Sequence, residues 1–114
     1  MDISSIIGEE LHSVAFVEDY LELRFGPALL TLYHWPYVML PDFSVAFGEP
    51  EYRNALCAQI GSAVDTAALD EGSALTIELA NGVVLGLSLR EEDLDGPDSG
   101  LFSPTGSPDD TEEF

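Results

Sequence analysis

The sequence predicts a small α+β domain with about six mostly antiparallel strands, arranged as two similar three-stranded meanders and one linking helix packed on the sheet. Three observations favour this fold: two stretches in which apolar and polar residues alternate, turn sequences within them, and one short amphipathic segment between them. A chain of 114 residues with 46% hydrophobic content has room for one modest core. The pattern leaves open whether the strands form one sheet, a sandwich or a partly closed barrel.

The two meanders are predicted from an internal repeat. Residues 7–33 align with residues 60–89 when one extra residue is allowed near the first turn of the second copy, and each copy begins with Ile-Gly. Both copies carry apolar residues at alternate positions, namely Leu21, Leu23, Phe25, Leu75, Ile77 and Leu79. This period of two indicates strands with one buried face, and Gly26-Pro27 and Asn81-Gly82 stand where hairpin turns are needed. Duplication and chance similarity of two short meanders both remain open.

The segment between the copies is predicted to be a short helix over residues 50–60. Pro50 stands just inside its start and Gly61 just past its end, as is common at helix termini. The residues expected on its buried face are Tyr52, Leu56 and Ile60. Those expected to face solvent are Arg53, Asn54 and Gln59.

Prolines interrupt the aromatic segment before this helix. Because proline cannot donate to a sheet ladder, Pro36 and Pro41 predict a strand that ends near Trp35, then irregular chain, and a short edge strand at 43–47.

The composition changes near residue 92. Residues 93–114 carry seven acids, no base and three prolines, with few large apolar residues. Such a segment buries too little surface to offset its ordering entropy. We therefore predict a folded domain over 1–92 and an acidic tail over 93–114 that is flexible at least from residue 103.

The charge restricts the classes of partner. Twenty-two acids stand against three bases, and the net charge is −19. A field of this sign repels nucleic acid and anionic lipid, because both are bound through lysine and arginine. It favours a basic protein partner, although solubility or the composition bias of the host would produce the same excess of acids.

No catalytic, cofactor or metal site is predicted. His34, Cys57 or a pair of carboxylates could serve an enzyme, but Cys57 is expected to be a small buried residue and adjacent acids in a strand point to opposite faces. The acids of residues 93–98 resemble a calcium loop, but their spacing differs from that motif.

The aromatic rings of the segment Tyr33-His34-Trp35-Pro36-Tyr37 have two possible roles. Its rings could form part of the core, or they could be exposed anchors for a partner, since tryptophan and tyrosine are enriched at binding hot spots. On the second reading the anchors are combined with acids that attract a basic surface. The predicted partner-binding residues are Glu18, Asp19, Glu22, Trp35, Tyr37, Asp70, Glu71 and Glu78.

The N-terminus lacks a basic region followed by an apolar run, and no apolar segment approaches the roughly 20 residues that span a bilayer. A single cysteine cannot form an internal disulfide. We therefore expect a cytoplasmic protein that does not bind membranes.

Three groups of residues carry a resemblance to a family of short uncharacterised bacterial proteins. They are Trp35-Pro36-Tyr37, the run from Gly48 to Arg53 with Leu56-Cys57 and Ile60-Gly61, and the run from Ser88 to Asp93 with Gly96-Pro97-Asp98. The resemblance implies a bacterial origin and an ordered element over 88–102, packed by Leu101 and Phe102.

The expected function is non-enzymatic binding of a basic protein surface. An immunity protein or other inhibitor would fit the size and charge of the chain. The alternatives are a small hydrolase or other enzyme, and a structural subunit that forms homo-oligomers through an exposed strand edge.

Overall fold

A computed structural model describes residues 3–90 and 99–114 of the chain. Within these residues a 3-10 turn at Ile3–Ile6 is followed by ten strands and one α-helix. The first half contains β1 (Leu11–Val17), β2 (Tyr20–Phe25), β3 (Ala28–Leu32), β4 (Tyr37–Met39) and β5 (Ser44–Val45). The second half contains α1 (Tyr52–Cys57), β6 (Val64–Asp70), β7 (Ala74–Leu79), β8 (Val84–Ser88), β9 (Gly100–Ser103), a 3-10 turn at Pro108–Asp110 and β10 (Glu112–Glu113).

The strands form two five-stranded antiparallel sheets, in the orders β1-β2-β3-β9-β10 and β5-β4-β8-β7-β6. The two predicted meanders are present as β1-β2-β3 and β6-β7-β8. The expected number of about six strands was too low, because each meander is extended by a pair of short strands. Apolar side chains of both sheets contribute to one core.

The two meanders repeat each other in register as well as in order. Both first hairpins carry an irregularity at an equivalent position, just after Leu11 in β1 and just after Val64 in β6. Two residues connect β1 to β2 and three connect β6 to β7, which agrees with the extra residue expected at the first turn of the second copy. The apolar residues predicted to alternate in β2 and β7 are buried.

The starts of the two meanders pair with each other through equivalent atoms. The amide of Gly8 donates to the carbonyl of Val64, and the amide of Gly61 donates to the carbonyl of Leu11, both at 2.8 Å. Leu11 and Val64 in turn donate to the residues that follow the opposite glycines, Ser62 and Glu9, both at 2.9 Å. This exchange relates the two copies by an approximate twofold axis, so the repeat is structural.

Each half also completes the sheet of the other half. The β4–β5 hairpin of the first half pairs through β4 with β8, while β9 of the second half pairs with β3 and carries β10. The same exchange occurs at the start of each half, where the 3-10 turn at Ile3–Ile6 packs on β6 and α1 packs on β1. The halves are therefore interlocked.

The helix is shorter than predicted. Tyr52 and Leu56 are buried and Arg53 and Asn54 are exposed, as expected. Because α1 ends at Cys57, the positions of the next residues no longer follow the helical period. Ile60 is 47% exposed rather than buried, and Gln59 is buried rather than exposed. The side-chain nitrogen Nε2 of Gln59 donates to the backbone carbonyl of Ala55, and its side-chain oxygen Oε1 accepts from Nδ2 of Asn81.

The segment before the helix follows the prediction in part. β3 ends at Leu32, short of Trp35, and Pro36 lies in irregular chain. The stretch between Pro36 and residue 43, predicted to be irregular, instead contains β4, which pairs with β5 and β8 because Pro36 removes only its own amide from the ladder. The short edge strand expected at 43–47 is present as β5.

The C-terminal residues 99–114 pair with the sheet that begins with β1. β9 pairs with β3 along its whole length, and Phe102 is buried in the core. Phe114 packs against this core, and its amide and carbonyl bond to Gly100 and Ser99. Composition alone missed this arrangement because a single large ring at the right register is enough to dock a short strand. Flexibility from residue 103 stays a prediction, and the predictions for residues 91–98 lie outside the described residues.

Candidate functional site

Four aromatic rings form a closed cluster between the two sheets and the helix. The rings of Trp35 and Phe47 stack with centroids 4.3 Å apart and an interplanar angle of 8°, and Phe16 stacks on Trp35 at 6.1 Å. Tyr52 meets both Phe16 and Phe47 edge to face, at 6.4 Å and 5.7 Å. Each ring thus touches two others, and aromatic pairs of this kind add roughly 0.5–1.5 kcal/mol each beyond simple burial.

The four rings come from four different parts of the chain. Phe16 lies on β1, Trp35 on the β3–β4 connection, Phe47 on the loop after β5, and Tyr52 on α1. The Tyr52 hydroxyl donates to the carbonyl of Pro36 at 2.5 Å. Burial raises the pKa of Tyr52, because the phenolate would lose its hydration there. The cluster therefore fixes two loops against the sheets.

A cavity of about 460 Å³ opens beside the stacked rings. It is lined by His34, Trp35, Tyr37, Ala46, Phe47, Leu87 and Ser88. We call it the aromatic groove. Its volume lies within the range of small-ligand sites, and its walls come from the β3–β4 connection, the β5–α1 loop and β8.

The groove brings together the two predicted anchors. Trp35 is half-buried, packs against the core and lines the groove, and its role as an anchor for a partner stays a prediction. Tyr37, at the start of β4, is 55% exposed. It lines the groove on one side and a second cavity, on the outer face of β7 and β8, on the other.

The predicted acidic residues are divided between the two sheets. Glu18 and Asp19 occupy the exposed β1–β2 turn, and Asp70 and Glu71 lie at the exposed β6–β7 turn. Glu22 on β2 and Glu78 on β7 are half-buried and alternate with core residues, which places them on the outer faces of different sheets. The structure does not gather these six acids in one place.

The groups considered for catalysis are also dispersed. Cys57 is exposed at the end of α1, contrary to the burial expected for it, because the helix turns this position away from both sheets. His34 lines the groove, but Cys57 is not among the residues that line it. Within residues 3–90 and 99–114, no group of three or more His, Cys, Asp or Glu side chains is placed to hold a metal ion.

Three residues of the site were not predicted from the sequence, namely Phe16, Phe47 and Arg53. Phe47 is 47% exposed and separates the groove from a smaller cavity of about 280 Å³ beside Arg53. The guanidinium carbon of Arg53 lies 5.4 Å from the centroid of the Phe16 ring, within the range of a cation–π contact. Phe47 could have been predicted from the sequence, because a large ring at the end of a short edge strand and next to Gly48 has little opportunity for burial.

Comparison with protein-family models, with curated proteins and with solved structures finds no match to this chain. None of the described helices has the length and apolar character that crossing a bilayer requires.

Proposed function

We propose that the chain is a non-enzymatic acidic module that binds a basic protein through the aromatic groove. An inhibitor or immunity protein is the concrete form that we favour. The observation that carries the proposal is the groove itself, where Tyr37 and Phe47 are about half exposed beside Trp35. Exposed aromatic rings around a cleft are typical of binding hot spots, because they provide a large contact area at low conformational cost.

The rigidity of the groove supports this proposal. Trp35 and Phe47 are held by their mutual stacking, Trp35 also by its stacking on Phe16, and Phe47 also by its edge contact with Tyr52. The amide of Ala46, on the groove wall, donates to a Glu49 carboxylate oxygen at 2.9 Å, which fixes the loop that carries Phe47. A partner would therefore meet rings that are already ordered, and little side-chain entropy would be lost on binding.

The charge of the chain supports the choice of a basic partner. A net charge of −19 attracts basic surfaces over long distances, even though the acids are divided between two sheets. We assign the acids to the rate of encounter and the groove to the lifetime of the complex. The acids at the two turns, such as Glu18 and Asp19, fit the first role because they are exposed.

The test is affinity capture from the source cells, with three immobilised chains in parallel. The native chain and a Tyr33→Ala control, which removes an exposed ring outside the groove, should both retain a basic protein. Tyr37→Ala should lose it. Retention should also weaken between about 0.01 M and 0.1 M salt, where the Debye length falls from about 30 Å to about 10 Å.

Three results would contradict the proposal. Retention that is equal for all three chains would remove the groove from binding. Retention of only the chain itself would favour the self-assembling subunit. Substrate turnover that is lost in Cys57→Ala or His34→Ala, without any retained partner, would favour the enzyme.

A further inference from the structure

We infer that the aromatic groove is a receptor for an arginine side chain, whose planar guanidinium group would lie against the exposed rings of Tyr37 and Phe47, beside Trp35. This inference rests on the proposed function and deepens it, since it names the chemical group that the partner would insert. Four observations point to this occupant: the walls, the position of a carboxylate, the field of the chain, and a similar contact already present in the same cluster.

The walls of the groove suit a flat cation. Three of its seven lining residues are aromatic, and two of them, Tyr37 and Phe47, have about half of their surface exposed. The negative face of an aromatic ring attracts cations, and guanidinium stacks on such faces more readily than an ammonium group does because it is planar and less strongly hydrated. The exposed ring of Tyr37 provides a further surface at the mouth of the groove.

Charge selects a cation over an apolar or anionic ligand. Among the described residues that line the groove, none is an arginine, and the chain contains no lysine. Glu49 places a carboxylate beside the groove, because its oxygen accepts the amide proton of Ala46 on the groove wall. An arginine that entered would therefore meet aromatic surface and a fixed negative charge nearby, together with the −19 field of the whole chain.

The chain already contains one contact of the proposed kind. Arg53 on α1 places its guanidinium carbon 5.4 Å from the ring centroid of Phe16, which itself stacks on Trp35. One part of the aromatic cluster thus binds a guanidinium group of the same chain. The groove presents the other part of the same cluster, Trp35 and Phe47, to groups from outside the chain.

The single tryptophan of the chain makes the inference directly measurable. Because Trp35 lines the groove, its fluorescence reports on whatever enters there. The probes are three small capped amino acids: arginine, lysine, and citrulline, which has nearly the same shape as arginine but no charge. At constant ionic strength, capped arginine should change the emission of Trp35 saturably, and citrulline should bind at least about five-fold more weakly.

Variants of Tyr37 separate the groove from the general field of the chain. Tyr37→Ala keeps the net charge and should weaken arginine binding about two- to five-fold, the usual range for one exposed cation–π contact. Tyr37→Phe keeps the ring and should retain binding, and Tyr33→Ala should bind as the native chain does. Circular dichroism of each variant shows that the fold is kept.

Four results would overturn the inference: an absent or non-saturating response to arginine, equal binding of citrulline, equal binding of lysine, or unchanged binding by Tyr37→Ala. These results are distinct from failure of the proposed function. If a basic protein is retained through Tyr37 but capped arginine does not bind, the partner uses other chemistry in the groove. If capped arginine binds as expected and the source cells yield no basic partner, the arginine receptor stands and the inhibitor does not.

Discussion

The β4–β5 hairpin and the β9–β10 hairpin occupy equivalent places in the two sheets, but they present different chemistry to solvent. Each adds to the third strand of the meander in the opposite half. The first exposes the rings of Tyr37 and Phe43, whereas the second buries Phe102 and exposes Glu112 and Glu113. Backbone pairing is therefore the same in the two halves, whereas the residues at exposed positions differ. For this reason we place the proposed binding site at the β4–β5 hairpin, which we call the aromatic hairpin.

The largest loss of stability is expected when the buried ring of the β9–β10 hairpin is removed. Phe102→Ala should lower the free energy of unfolding by about 3–5 kcal/mol, because Phe102 is only 1% exposed and its loss leaves a cavity against β3. Phe43→Ala, in the turn of the aromatic hairpin, should change it by less than about 0.5 kcal/mol, since Phe43 is 59% exposed. Urea unfolding of both variants makes the measurement. Similar values for the two would show that β9 does not dock as described.

The second prediction compares the stability lost by truncating one residue on α1 and one residue just after it. Leu56→Ala should cost about 2–5 kcal/mol, because Leu56 is fully buried between α1 and the sheets. Ile60→Ala should cost much less, since its side chain lies beyond the end of α1 and is half exposed. Thermal and urea unfolding measure both. The reverse order would mean that the helix continues to residue 60, as the sequence alone predicted.

A third pair of variants tests whether the two halves of the chain are energetically equivalent at their junction. Gly8 and Gly61 have φ angles of +88° and +97°, where a side chain strains the backbone, and open space surrounds the Cβ position at each. Alanine at either glycine should therefore cost about 1–2 kcal/mol through backbone strain alone. The two costs should agree within about 0.5 kcal/mol in urea unfolding. A clear inequality would show that the approximate twofold axis does not extend to the energetics.

The smallest loss of stability is expected from removing the hydrogen bond between Tyr52 on α1 and the chain just before β4. Tyr52→Phe should cost about 1 kcal/mol near neutral pH, because the carbonyl of Pro36 loses its donor. The native chain should also lose stability as the pH rises above about 10, since Tyr52 ionises in the unfolded chain while burial keeps it protonated in the folded one. Urea unfolding at neutral and alkaline pH should show a smaller loss for Tyr52→Phe. An unchanged alkaline loss would contradict the burial of the hydroxyl.

Local patterns were enough to predict the meanders. The apolar residues of β2 and β7 face the core because side chains alternate in any strand, and the turns at Gly26-Pro27 and Asn81-Gly82 follow from short-range chemistry. The choice of partner strand is different, since β4 pairs with β8 and β9 pairs with β3 over long stretches of chain. No short-range pattern encodes that exchange.

The predicted site shows the same division. Trp35 and Tyr37, the two predicted anchors, both line the groove because residues close together in sequence remain close in space, and their role in binding stays a prediction. Phe16, Phe47 and Arg53 were missed because β1, the β5–α1 loop and α1 meet only in the folded chain. The dispersal of the acids could not be foreseen either, since two turns that are equivalent in the repeat belong to different sheets.

The interlocking of the halves has a consequence for how the protein is made. During translation β3 emerges long before β9, so its outer edge has no partner until residues 100–103 leave the ribosome. The first half is therefore synthesised before its own sheet can close, and completion of that sheet must wait for β9. A ribosome stalled near residue 90 would display β3 with an open strand edge, and synthesis of β9 would cover it.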